Sequence, residues 1–145
     1  MKKVFFLALV FGLTGCTAID VSQISRAHKV EHVCIESNPK VIVDGFVDTV
    51  TQIFQQRGIS TQIYNAGAQP NDCEVIMFYT ARRSWDITPY LSYAELSLFK
   101  DNTQIGYAEY RLRGKGGLAL NKWASVESKM TPVVEQLLGQ YPVTN

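Results

Sequence analysis

The feature that most constrains this chain is its N-terminal stretch. Lys2 and Lys3 precede an unbroken apolar run, Val4 to Phe11, and small and polar residues lead from it to Cys16. A positive head, a short apolar stretch and a small-residue cleavage region form the layout of a secretory signal. The run is far short of the roughly 20 apolar residues that a spanning helix needs. The spacing therefore predicts a signal peptide over residues 1–15, removed before folding. The remainder would fold in a compartment where thiols pair as disulfides.

Leu13-Thr14-Gly15-Cys16 matches the lipobox of bacterial lipoproteins. In proteins of that kind the cysteine thiol receives a diacylglyceryl group, the signal is cut before it, and the new amino group is acylated. One acyl chain binds a bilayer marginally, whereas two or three hold a domain firmly. The bland alternative is an ordinary signal with an incidental cysteine. Thr17 stands where Asp would direct retention in the inner membrane, so the outer membrane is the expected address, at its periplasmic face. Residues 16–29 are then the lipidated Cys16 and a tether, because Thr17 to Lys29 is mostly small or polar without clear periodicity. Residues 30–145 form one domain, large enough to bury a core without depending on staples.

Charge excludes some partners. Taking Lys2 and Lys3 from the 14 Lys and Arg leaves 12, against 13 Asp and Glu. A near-neutral domain offers no electrostatic case for nucleic acid, whose binding rests on clustered cations, nor for a polybasic membrane patch.

Along the domain, Val30 to Ile35 is β-rich and reads as a first strand. Ser37-Asn38-Pro39 carries N-cap and first-turn signals, so a helix is expected from there. Val43, Phe46, Val47, Val50, Ile53 and Phe54 recur at spacings of three and four, and Gly58 can close the helix in a left-handed conformation. Ile59 to Tyr64 is a second strand and Cys73 to Thr80 a third, whose continuous apolar run suits a central position. Arg82 to Pro89 is less regular. Tyr90 to Lys100 and Ile105 to Arg113 form an antiparallel hairpin through Asp101 to Gln104; Ala94, Leu96 and Leu98 face inward with Ala108, Tyr110 and Leu112. Met130, Val133, Val134, Leu137 and Leu138 make a second helical stripe, with Pro132 in its first turn or at a kink. The expected fold is α+β: one mainly antiparallel sheet of about five strands with two helices on one face. The first and third strands are candidates for parallel neighbours, with the first helix returning the chain.

Cys34 and Cys73 remain once Cys16 is used, an even pair in an oxidising compartment, which favours a disulfide. The alternatives are two buried thiols or a redox pair, although a redox pair usually shows Cys-x-x-Cys spacing. His28 and His32 have helical spacing but no clustered partners, so they read as solvated and no metal is expected. No cofactor is expected either: Gly114-Lys115-Gly116-Gly117 lacks the flanking pattern of a phosphate loop and reads as a turn. There is no nucleophile elbow or zinc-protease motif, and the chain reads as a non-enzyme. The most suggestive stretch is Arg82, Arg83, Trp85, Asp86 and Tyr90, with Lys122-Trp123 adding to the same surface. Cations beside aromatics can hold a glycan, a peptide or an anion. The bland alternative makes Trp85 and Trp123 caps on the core.

Val33-Cys34-Ile35 with Asn38-Pro39, Cys73, Ser84-Trp85-Asp86 with Pro89-Tyr90-Leu91, Ala108 to Leu112, and Gly116 to Trp123 form a set. In that set the chain resembles a family of uncharacterised small lipoproteins of Gram-negative bacteria. The resemblance covers nearly the whole mature domain and implies an outer-membrane anchor; it carries over no activity. The function expected is a non-enzymatic binding or envelope-assembly accessory protein with an envelope protein as partner. The alternative is a lipoprotein that binds a glycan or lipid. Cys16→Ala is expected to abolish labelling by radioactive palmitate and to release the protein into the soluble periplasmic fraction; label retained in the variant would contradict lipidation at Cys16.

Overall fold

The computed structural model describes residues 17–116, 120–139 and 141; Cys16 and the expected signal peptide lie outside the described residues. The elements run β1 (Thr17–Ser22), β2 (His32–Glu36), α1 (Phe46–Gln56), β3 (Ser60–Tyr64), β4 (Val75–Asp86), β5 (Thr88–Lys100), β6 (Thr103–Leu112) and α2 (Val126–Leu138). The fold is α+β. One sheet of six strands has the order β1-β6-β5-β4-β2-β3. The β1–β6, β6–β5 and β5–β4 pairings are antiparallel, whereas β2 is parallel to both β4 and β3. The sheet is therefore mixed, with one strand more than the sequence pattern suggested. The parallel neighbours β2 and β4 are the expected first and third strands.

The inward face of the sheet and both helices share one core. α1 buries Phe46, Val50, Ile53 and Phe54, and α2 buries Met130, Val133, Val134, Leu137 and Leu138. These stripes meet Met77 of β4, Ala94, Leu96 and Leu98 of β5, and Ala108 and Tyr110 of β6. The period-2 pattern of β5 and β6 is thus obeyed. Their turn is tighter than expected: Lys100 pairs with Thr103, and Asp101 (φ 49°) and Asn102 (φ 60°) are both left-handed, as a two-residue type I′ turn requires.

The residues expected as a tether are folded. β1 pairs along its length with β6. Ile24 is fully buried, its N–H donates to Leu137 O at 3.1 Å, and Gln23 Nε2 donates to Gln136 O at 3.0 Å. Gly106 makes room, since a Cβ there would lie 2.7 Å from Ile24 Cγ1. An edge strand with one open face has only half an apolar pattern to show, so the sequence reads as irregular.

The first helix also starts later than expected, at Phe46 after Gly45 (φ 70°). Asn38 does not cap it. Its N–H donates to Tyr79 Oη at 3.1 Å, its Nδ2 donates to Tyr79 O at 2.9 Å, and its Oδ1 accepts from Lys40 N–H at 3.1 Å. That Asx-type turn ties the chain leaving β2 to β4 and uses up the capping atoms. Gly58 (φ 73°) follows α1 as expected. Pro132 lies inside α2, which Ser125 caps by accepting from Ser128 N–H.

Cys34 and Cys73 form a disulfide with Cα atoms 5.8 Å apart. It joins the fully buried Cys34 of β2 to the segment before β4, across 39 residues that include α1 and β3. Closing a loop of this length stabilises a fold by about 4 kcal/mol in the chain-entropy account. Cys34→Ala/Cys73→Ala is expected to lose about that much unfolding free energy in urea; a loss under about 1 kcal/mol would contradict that entropic account.

Candidate functional site: the β4–β5 hairpin end

β4 and β5 are the two longest strands and continue past their neighbours. Thr17 pairs with Leu112, Arg111 with Tyr93, and Tyr93 with Arg82. The start of β1, the end of β6 and the β4–β5 turn therefore lie at one end of the sheet. Beyond that level only β4 and β5 go on, from Arg83 to Leu91. A bulge between Arg82 and Arg83 marks the departure, with Ser92 Oγ donating to Arg82 O at 3.2 Å. Bulges bend a strand and raise its twist.

The stretch that reads as irregular in sequence is this hairpin. Asp86 pairs with Thr88, so Ile87 alone makes the turn, at φ 65°. A β-branched residue in that region is strained by about 1–3 kcal/mol. Ile87 is 78% exposed and Trp85 73% exposed. Trp85 does not cap the core.

The strained turn is braced from behind by the 3₁₀ turn Leu120–Trp123. Trp123 Nε1 donates to Asp86 O at 2.8 Å, and Lys122 Nζ donates to the Asp86 carboxylate. Lys122 also lies 4.4 Å from the Trp123 ring centroid. Lys129 of α2 is buried beneath, donating to Leu91 O at 2.9 Å and to Lys122 O, with its ammonium 5.5 Å from the Tyr90 ring centroid. Burial pulls the Lys129 ammonium down to about 8.

The expected contact residues thus separate. Arg83 and Trp85 are exposed on the hairpin, and a cleft of about 240 Å³ lies between them and Pro89. A second cleft of about 300 Å³ lies between the hairpin base and α2, lined among others by Arg83, Tyr90, Leu91 and Trp123. Tyr90 is buried and shapes this surface from within. Asp86 is held by Lys122. Arg82 is elsewhere, on the sheet's helix-free face, 4.6 Å from the Tyr93 ring centroid. Trp123 is half-buried against the core. Sequence reasoning missed Ile87, because no Gly or Asn marks its turn, and missed Lys129, because a buried lysine has no sequence signature; Lys122, read with Trp123 as an addition to the contact surface, is instead buried behind the turn and held to Asp86.

On that helix-free face, Glu109 accepts from Tyr93 Oη (3.2 Å), Tyr107 Oη (3.0 Å) and Arg111 Nε (3.1 Å). Glu95 accepts from Tyr93 Oη at 2.7 Å. Desolvation pushes the Glu109 carboxyl up, but the Tyr107 bond and the Arg111 charge outweigh it, leaving it below the usual carboxylate range. The tyrosines are pushed up: Tyr107 reaches about 12, by desolvation first and by its bond to Glu109 second. His28 and His32, expected to be solvated, are half-buried. Among the described residues no helix is long and apolar enough to cross a membrane.

No family model matches this chain, and no curated protein matches it. Among solved structures it is similar to the PelC dodecamer from Paraburkholderia phytofirmans, at 10% identity and a TM-score of 0.53 over 81% of this chain and 96% of that one. A dodecamer of a PelC variant with one leucine replaced by methionine, from the same organism, is similar at 11% identity and a TM-score of 0.53, over 81% and 97% of the two chains. At this identity the likeness concerns the fold alone.

The buried lysine sets a pH dependence. Its folded value lies below the unfolded 10.5, so between pH 8 and 10.5 the unfolded chain holds more protons, and stability rises with pH there. Tyr64, Tyr107 and Tyr110, raised from 10.0 to about 12, act oppositely above pH 10. Urea unfolding is therefore expected to show rising stability from pH 8 to 9, below the range in which the tyrosines ionise, in the native protein and a flat profile there in Lys129→Met; an equal rise in both would assign the effect to another group.

Proposed function

We propose that the mature chain is a periplasmic lipoprotein held to the outer membrane through Cys16, whose domain works without catalysis as a binding or assembly accessory to an envelope protein. The observation that carries this reading is the braced hairpin, which presents Trp85 and Ile87 to solvent. A large apolar side chain held out on a rigid support suits an interface: little entropy is lost on docking, and Trp and Arg are the residue types that dominate binding energy. Arg83 beside Trp85 fits a partner pocket that is apolar within and acidic at its rim.

The place of the hairpin gives the reading a direction. β1 begins at Thr17, next to the proposed lipid site, and its first pair lies at the sheet end from which the hairpin extends. With β1 in the sheet, little chain is left to hold the domain off the bilayer. The hairpin end then sits near the membrane plane, where a membrane-associated partner is within reach. The polar cluster around Glu109 supports the non-enzymatic reading: its carboxylates are already engaged by Tyr93, Tyr107 and Arg111.

The second reading, a glycan or lipid ligand, is favoured by the cleft between the hairpin base and α2. Aromatic and aliphatic walls with one arginine suit a small amphiphile.

Cross-linked recovery of tagged protein from intact membranes separates the two. One near-stoichiometric partner is expected, lost in Cys16→Ala and in Arg83→Ala/Trp85→Ala, with the latter folded by circular dichroism. Full recovery with the double variant would overturn the site assignment. No enriched protein, together with a change in Trp123 emission when glycan fragments or phospholipid are added to Trp85→Phe, would favour the ligand reading.

A further inference from the structure

A second constellation lies toward the opposite edge of the sheet. His32 and Cys34 are two residues apart on β2 and share one face. Cys73 closes onto that face, so an imidazole nitrogen of His32 and both sulfurs lie within 4.8 Å of one another. His32 Nδ1 is 2.7 Å from Ser60 Oγ, and the Ser60 hydroxyl donates to Glu31 O at 3.1 Å. In the tautomer where the Ser60 hydroxyl gives its proton to that carbonyl and accepts from the ring, Nδ1 carries the proton and Nε2 the lone pair. Nε2 is buried and has no hydrogen-bond partner among the described residues. Leaving a buried acceptor unsatisfied costs about 1–3 kcal/mol. A hydrogen bond from Nδ1–H to an oxygen is also what fixes the tautomer and tilt of a metal-binding imidazole.

We propose that reduction of the Cys34–Cys73 disulfide uncovers a three-ligand site, His32 Nε2 with the two cysteine sulfurs, for a borderline or soft cation of the zinc type. The reductant is a dithiol. It supplies two electrons and two protons, the S–S bond breaks, two thiols form, and the dithiol closes to a cyclic disulfide. The divalent cation then displaces both thiol protons to solvent, forming two metal–sulfur bonds and one metal–nitrogen bond. Bonds of about 2.3 Å to sulfur and about 2.1 Å to nitrogen place tetrahedral ligands within about 4 Å of each other, so the side chains need move by only about 1 Å. In the oxidised protein the sulfurs are bonded to each other and offer no thiolate. Cys73 is half-buried and open to a reductant. A cleft of about 340 Å³ opens onto His32, lined also by Glu31, Asp72, Glu74, Val75 and Lys29; with Glu74 paired to Lys100, the carboxylates outnumber the lysine of the lining and give the cation a way in. The site uses no residue of the hairpin and stands apart from the function proposed above.

The test uses the full mature domain, reduced with a dithiol, freed of reductant without air, and titrated with Co(II) and then with Zn(II) in competition. Reduced native protein is expected to develop the sulfur-to-cobalt charge-transfer band and the visible bands of a tetrahedral ion, and Zn(II) to bleach them. The oxidised protein develops neither. Ser60→Ala is expected to bind about 10–100-fold more weakly, and His32→Ala at least as weakly as that. Equal affinity in native protein and His32→Ala, or equal binding by the oxidised protein, would overturn the proposal. So would loss of the far-ultraviolet dichroism on reduction that the cation does not restore.

Discussion

The ladder between β4 and β5 is the pairing on which the other elements depend. β6 is hydrogen-bonded to β5, β1 to β6, β2 to β4 and β3 to β2, so each further strand reaches the sheet through one of these two. Their inward residues, Met77, Ala94, Leu96 and Leu98 among them, are the floor on which both helices bury their stripes. The same two strands run past that floor. The residues of the hairpin beyond it have no neighbouring strand, and their side chains are left to solvent, to the brace, or to a partner.

The brace is costly and specific. Two lysines, Lys122 and Lys129, are buried behind a strained turn. A buried ammonium is stable only when its donors are satisfied. Asp86, Leu91 O and Lys122 O supply those acceptors, and the rings of Trp123 and Tyr90 lie close to the cations. An apolar core would have been less costly at this position. What the polar brace adds is a fixed direction, because hydrogen bonds to Asp86 set the hairpin's angle in a way that greasy contacts do not. Rigidity of that kind lowers the entropy lost on docking.

Elements with strong periodicity were legible in the sequence. The stripes of α1 and α2, the alternation of β5 and β6, and the central run of β4 each follow from burial of one face or two. The cysteine pair was legible from its parity and the compartment expected for it. β1 was not, because an edge strand with one open face carries half a pattern. The start of α1 was misplaced because Asn38 has two uses for the same atoms, and its bonds to Tyr79 depend on a strand distant in sequence. The hairpin tip was hidden for a related reason. Trp85 read equally as a contact residue or a cap on the core, and only the length of β4 and β5 relative to their neighbours shows that it and Ile87 overshoot the core. Arg82 and Arg83 are adjacent in sequence, and the alternation of β4 puts them on opposite faces, Arg82 on the helix-free one against Tyr93.

The central claim is that the hairpin end is where this domain meets its partner. A photo-activatable amino acid placed at Trp85 in intact cells tests it most directly, with one at Ile63, exposed on the β3 edge, as the comparison. The account predicts a discrete protein adduct from position 85 and none from position 63. The same adduct from position 63, with none from 85, would contradict it and place the interface on the far edge of the sheet.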